Sequence, residues 1–439
     1  MSLRDAPATT PPAPDVPDVP DVFDPRLYAE GVPHDRYRVL RDHHPVARQE
    51  EPEVLGWPAG PGFWAVTRHA DVVRVLKDPA TYSSYLGATQ IRDPAPDDLP
   101  FIRRMMLNQG PAAPGGAGPA DHGQLRRLVS RAFTPRRIER FEARVRERAR
   151  TLLAAAVADA RDGDGTFDVV TAVTDDYALL NLADLLGVPA SDRGLLLRWT
   201  QRVIGYQDPD EAAPPVRGPD GRPVDPRSPA MLRDMFAYAR TLAAHKREHP
   251  GDDVLTALAA DPELTAPELE MFFFLLTVAG NDTVRSAAPG GLLALVESPG
   301  EYERLRAGEV TLATAVDELL RSHPPVLSFR RTAARDTELA GTRIAAGDKV
   351  VVFHASAHHD ERVFDDPHRL DLSRSPNPHV AFGDGPHVCL GAHFARLQLR
   401  LFYEESARAL PHLRLAAPPR RLVSHFINGL KSLRVEAPA

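Results

Sequence analysis

The sequence predicts a mainly α-helical protein with minor β-structure, and three patterns carry that expectation. Apolar residues recur at helical spacing through most of the chain beyond His122. Thr265-Ala-Pro267-Glu268 has the form of a capping box with proline in the first turn, and it opens a long run that is apolar almost all round. Strand-like alternation is confined to short stretches, Gly62–Thr67 and Thr337–Phe353.

In chain order, residues 1–23 are Pro-rich and carry a small Asp-Val-Pro repeat. Such composition buries too little apolar surface to order itself, so it reads as a flexible arm ahead of one domain over residues 24–439. From Pro25 to Asp78 short helical patterns surround the strand at Gly62–Thr67, with helical spacing resuming at Val72, Val73 and Leu76. Tyr82–His122 reads as irregular, and Tyr206–Pro229, dense in Pro, Gly and Asp, is too long for a simple turn and has the character of a lid loop. The helix from Thr265 is expected to be buried over Phe272–Arg285 and to kink or end at Pro289-Gly290-Gly291. A helix over Ala313–Ser322 stops at Pro324-Pro325, short strands follow, and Leu390–Leu410 forms a last long helix. No internal repeat is apparent.

With 439 residues, 43% of them hydrophobic, the chain has ample material for a large core. A net charge of -7 leaves no overall basic field, which speaks against a nucleic-acid binder. The longest apolar stretches, such as Met271–Ala279, fall short of the roughly 20 residues a membrane span needs, and no basic flank followed by an apolar segment marks the N-terminus. A cytoplasmic protein with no membrane anchor is expected. The chain has one cysteine, Cys389, which excludes an internal disulfide, a cysteine-based zinc finger and a cluster held by four thiolates.

That cysteine stands in Phe382-Gly383-Asp384-Gly385-Pro386-His387-Val388-Cys389-Leu390-Gly391, at the junction of a Gly-rich loop and a helix. Helix N-terminal amides favour a thiolate there. Glycines at 383, 385 and 391 permit positive φ and let backbone approach a bulky planar partner. The segment resembles the haem-binding signature of the cytochrome P450 family, Phe-Gly-x-Gly-x-His-x-Cys-x-Gly, at every defined position. The resemblance implies that family's fold, a helical bundle around haem with small β-sheets. It also implies haem b (iron protoporphyrin IX) as cofactor, with Cys389 as the axial thiolate on iron.

Further motifs fall in the order the family requires. Ala279-Gly280-Asn281-Asp282-Thr283 resembles the family's oxygen-binding motif. By that analogy Gly280 makes room above the iron, Thr283 donates a hydrogen bond to bound oxygen, and Asp282 belongs to the proton relay. Glu318-Leu-Leu-Arg321 resembles the family's structural ion pair, with no catalytic part. His122, Arg126, Arg331 and His387 are the bases able to hold the haem propionates. By analogy the substrate pocket takes in Val278, Ala279, Val326, Leu327, Phe426 and Ile427. Two departures stand out besides Pro289-Gly290-Gly291: Gly115–Gly118 looks like part of an insertion, and His122-Gly-Gln-Leu-Arg126 lacks the middle basic residue common in relatives.

His354-Ala-Ser-Ala-His358-His359 lacks the glutamate of a zinc-protease helix, which argues against zinc there. Asp162-Gly-Asp164-Gly165 lacks the rest of a calcium loop and reads as a turn. No dinucleotide fingerprint or Walker pattern is present. A ferredoxin or flavodoxin with its NAD(P)H reductase is therefore implied as electron source, and arginines 126, 127, 131, 136, 137 and 140 offer an acidic donor a basic face. The whole reads as a soluble bacterial haem-thiolate monooxygenase, inserting one oxygen atom from dioxygen into a small, largely apolar substrate, such as a steroid, terpenoid, secondary metabolite or lipid. A non-catalytic haem-binding sensor and a hydrogen-peroxide-driven peroxygenase are the alternatives, and the acid–alcohol pair Asp282-Thr283 counts against both.

Overall fold

The computed structural model describes residues 17–87, 89–103, 122–204, 207–211, 216–218, 221 and 224–438, apart from the side chains of residues 201 and 204. The longer helices are α1 (His34–His43), α2 (His69–Lys77), α3 (His122–Ser130), α4 (Glu142–Asp162), α5 (Asp175–Leu186), α6 (Arg193–Ile204), α7 (Pro229–Glu248), α8 (Ala266–Glu297), α9 (Leu312–Ser322) and α10 (Ala392–Ala409). Strands β1 (Val46–Gln49), β2 (Phe63–Val66), β3 (Tyr82–Ser83), β4 (Ser328–Ala333) and β5 (Lys349–Phe353) form one sheet in the order β1-β2-β5-β4-β3. Only β2 and β5 run parallel in it. Thr337–Leu339 and Thr342–Ile344 make a separate hairpin.

Helix α8 is the axis of the helical part, packed against α5, α6 and α7, while α10 lies along α4. Its start is a complete capping box: Thr265 accepts from the Glu268 amide, and the Glu268 carboxylate takes the Thr265 N–H at 2.9 Å. Of the expected kink or end at Pro289-Gly290-Gly291, the end does not occur, since α8 runs on to Glu297. Proline removes one ladder bond, but Ala287, Ala288, Pro289, Gly290 and Gly291 are all buried here, and packing outweighs local propensity. Gly291 serves the close approach of α10. A Cβ on it would lie 2.0 Å from the Tyr403 hydroxyl, which donates to the Ala287 carbonyl at 2.8 Å.

The arm also needs a correction at its C-terminal end. Val22 and Phe23 are buried in the core that includes Tyr37, Phe63 and Phe353. The Val22 N–H donates to Gln49 Oε1 at 3.0 Å, and Arg36 reaches the Asp21 carbonyl at 2.7 Å. Proline content hid two apolar side chains that β1 and α1 can cover. The remainder of the arm, residues 1–16, lies outside the described residues, as do Gly115–Gly118 and parts of the Tyr206–Pro229 loop.

Glu318 and Arg321 on α9 are fully buried and doubly bonded, Nε to Oε2 at 2.8 Å and Nη2 to Oε1 at 2.9 Å. Arg321 Nη1 also donates to the carbonyls of His358 and Pro367, both at 2.8 Å. Glu318 accepts from Arg374 and Asn377, each at 3.1 Å, and from the Asp371 amide. A surface pair of this spacing would contribute little, but this one ties α9 to the segment leading into the Cys389 loop. His358 completes the tie: its Nδ1 donates to the Arg321 carbonyl, and its Nε2 accepts the Val380 N–H at 2.9 Å. Glu318→Ala leaves two guanidinium groups facing an empty site, and it is expected to cost about 3–5 kcal/mol in urea unfolding, with Asp317→Ala, at a half-exposed neighbour, costing far less.

Candidate active site

The Cys389 loop is closed by main-chain bonds, with the Asp384 carboxylate taking the Gly385 N–H at 2.7 Å. Phe382 O accepts the Cys389 N–H at 2.8 Å, Val380 O accepts from Gly383 at 2.8 Å, and Gly385 O accepts from Val388 at 3.1 Å. Gly383 and Gly385 sit at φ +72° and +69°, a conformation that favours glycine. At Gly385 a Cβ would also strike Leu76 O of α2 at 2.5 Å. Gly391 differs from its expectation: its φ is −86°, open to any residue, and its missing Cβ would lie 4.0 Å from Cys389 Sγ. The glycine there leaves space beside sulfur and caps α10.

Cys389 faces inward. Its accessible surface opens into an internal cavity, so the sulfur is both exposed to that space and surrounded by protein. Burial pushes its thiol up, opposed by the Gly391 amide and by the charges of Arg126 and Arg396. The cavity encloses about 2140 Å³ of empty space, its mouth included. On its wall stand Gly280, Asp282 and Thr283 of α8, together with His122, Arg126, Arg331, Phe382, His387 and Gly391.

The α8 residues are placed as follows. Thr283 Oγ1 donates to the Ala279 carbonyl at 2.7 Å, the local bond a helical threonine makes by default. Asp282 is buried with Oδ2 unpartnered, and desolvation raises its carboxyl to about 6, with Arg285 pulling it down and Asp175 and Glu211 pushing it up. Arg285 is bonded to Asp175. Gly280 borders the cavity, and the Cβ it lacks would lie 2.8 Å from the Leu182 Cδ1 methyl of α5, so a larger residue would require Leu182 to shift.

The basic residues converge as well. Arg331 is buried, bonds only to the neighbouring Arg330 carbonyl at 2.9 Å, and has no carboxylate within ion-pair distance among the described residues. Burial alone depresses its guanidinium to about 10. A cation held this way is costly unless an anion arrives. His122 and His387 rings lie 4.0 Å apart, and Ser84 Oγ is 2.9 Å from His387 Nε2. His354, beside Arg331, is buried with neither ring nitrogen in a well-formed hydrogen bond, and burial lowers it to about 4. Orphaned cations and donors around a space flanked by a sulfur fit a dianionic planar group such as haem.

Val278, Ala279, Val326, Phe426 and Ile427 also line the cavity. Leu327 does not. It follows Val326 into an extended segment, where successive side chains face opposite ways, and it packs in the core with Val351 and Phe353. Its backbone bonds Phe426 O and the His354 amide. Ser84, Thr89, Gln90, Arg227 and His354 were not anticipated. His354 was weighed only as a zinc ligand, although it opens a short buried helix, His354–Ala357, rather than the extended run expected.

Residues 238–419 match the family model for cytochrome P450. The chain is 36% identical to the steroid C26-monooxygenase of Mycobacterium tuberculosis over 98% of its own length and 95% of that protein's. It is 37% identical to the methyl-branched lipid omega-hydroxylase of the same organism, over 91% and 90%. Among solved structures, Mycobacterium marinum cytochrome P450 CYP268A2 in complex with pseudoionone superposes with a TM-score of 0.78 at 35% identity, covering 95% of this chain and 98% of that one. The family's cofactor is haem b with a cysteine thiolate on its iron, and this chain has a single cysteine to offer. Likeness of this degree along almost the full length of both chains makes the protein a member of the cytochrome P450 family, a haem-thiolate monooxygenase.

Proposed function

We propose that the chain hydroxylates the aliphatic end of a steroid or methyl-branched lipid, with Cys389 as the iron ligand. One observation carries this reading. The lone thiol shares a mostly apolar cavity with an acid and an alcohol, buried Asp282 and the neighbouring Thr283. Apolar walls such as Val278, Leu182, Val326 and Phe426 suit a hydrocarbon, whose burial contributes about 25 cal/mol per Å². The relatives' names, steroid C26-monooxygenase and methyl-branched lipid omega-hydroxylase, point to the same substrate class.

Bound haem supplies the activation of dioxygen. Arg331, Arg126, His122 and His387 hold its propionates, and His354 adds a donor the motif reading omitted. Thr283 holds a proton at Oγ1 for the distal side of the cavity. Asp282, with its carboxyl near 6, replenishes that proton, taking its own from solvent, and the Arg285–Asp175 pair behind it sets the charge around the carboxyl. Electrons come from a ferredoxin or flavodoxin. Arg136 and Arg137 are exposed on a short helix, Pro135–Glu139, that packs against α10, the helix leading away from Cys389, and this suits an acidic donor.

Titrating haem-loaded enzyme with a C27 sterol ketone and with a methyl-branched fatty acid tests the substrate class. A saturable spin-state shift and a terminally hydroxylated product from either are expected, and neither from both would reject it. Arg331→Met is expected to speed haem transfer to apomyoglobin about tenfold or more while stabilising the haem-free chain, since it removes an uncompensated buried cation. Thr283→Ala is expected to keep NAD(P)H consumption but lose most product per electron pair. Asp282→Asn is expected to slow turnover by roughly 10² and to abolish the decline in coupled rate as pH rises above about 6. The folded-state carboxyl lies above the unfolded value of 3.8, so wild-type stability falls as pH rises from 4 to 6. Asp282→Asn is accordingly more stable at pH 7.5, by up to about 3 kcal/mol, in denaturant titrations.

A further inference from the structure

On the face of the protein where α1 meets the segment that runs toward the Cys389 loop, three histidines from distant parts of the sequence converge. His34 opens α1, His359 follows the short helix His354–Ala357, and His368 lies nine residues further on. One nitrogen from each lies within 4.8 Å of the other two. The ring centroids are 4.0 Å apart for His34 and His359, 5.0 Å for His359 and His368, and 5.3 Å for His34 and His368. We propose that His34, His359 and His368, none of which lines the haem cavity, form a binding site for a divalent transition-metal ion of the zinc class.

The arrangement has the features such a site needs. His359 Nδ1 is 3.0 Å from the Ala355 carbonyl, which fixes the proton on Nδ1 and leaves the Nε2 lone pair for a ligand. His34 Nδ1 is buried with no hydrogen-bond partner. Packing three imidazoles together gains little unless something accepts their lone pairs. Exposed His368 provides the way in. Tetrahedral zinc with nitrogen at about 2.0–2.1 Å brings ligand atoms to about 3.4 Å from one another, a closure of roughly 1 Å that an exposed side chain can supply. Three imidazoles with one open position suit zinc, copper or nickel rather than calcium or magnesium.

The neighbouring charges do not forbid a cation. Arg41 and Arg321 lie near, but each is neutralised, Arg41 by Glu361 at 2.9 Å and Arg321 by Glu318 at 2.8 Å. The metal would act on structure. Arg321 already holds the His358 and Pro367 carbonyls, each one residue from a ligand, so an ion would staple α1 to the Glu318–Arg321 network.

The test uses untagged, haem-loaded protein stripped of adventitious metal and titrated with ZnCl₂ by calorimetry. One tight Zn²⁺ per chain and a zinc-dependent rise in melting temperature are expected. His368→Gln and His34→Gln should each weaken that binding by at least roughly tenfold, with the carbonyl spectrum of the haem unchanged. His245 and His249, a stacked pair four residues apart on and just past α7, are the rival surface site. Retention of binding in His245→Gln/His249→Gln is expected. Loss of zinc there, full affinity in His368→Gln, or no zinc heat at all would overturn the proposal.

Discussion

A thiol that burial disfavours as an anion is held at the wall of a cavity by a loop closed by main-chain bonds and by bonds from Asp384, Ser84 and His358. That constraint governs the rest of the structure. The loop has little core of its own, so its position depends on what lies on either side. Behind it, α10 packs along α4 and α8. Ahead of it, the chain is pinned by Glu318, Arg321 and His358, whose contacts span residues 318 to 380. The buried pair on α9 never reaches the cavity, yet it sets where the sulfur can be.

Charge in the cavity tells the same story from the other side. Arg331 is buried with a backbone carbonyl but no carboxylate to meet it, His354 with neither ring nitrogen in a well-formed bond, and Asp282 with a bare oxygen. Each costs folding free energy in the haem-free chain. A fold that tolerates three such groups around one space is organised for an anionic cofactor and for proton traffic. A hydrophobic core alone would discard them.

Much of this was legible in the sequence, and the failures have physical causes. The Thr265 capping box, the Cys389 loop and the acid–alcohol pair are local patterns, carried by residues within ten positions of one another. Pro289 misled because its destabilising effect is local, while the burial that overrides it comes from α10, more than a hundred residues away. Leu327 was assigned to the cavity by analogy with the family, when the alternation of an extended chain turns it into the sheet core. Ser84 and His354 were overlooked for a related reason. Ser84 takes its role from His387, a pairing across 303 residues that leaves no periodic trace, and His354 takes its role from the turn of chain that sets it beside Arg331. Gly391 was expected to need a positive φ, but its φ of −86° is ordinary and a Cβ there would make only van der Waals contact with the neighbouring sulfur.

The bond between Cys389 and haem iron is the claim on which the other assignments hang, and the carbon monoxide spectrum of the reduced, reconstituted protein addresses it most directly. A Soret band shifted to the red, as sulfur ligation produces, is the predicted result, and it should vanish in Cys389→Ala. A colourless protein, or a band at the position given by histidine ligation, would contradict the account.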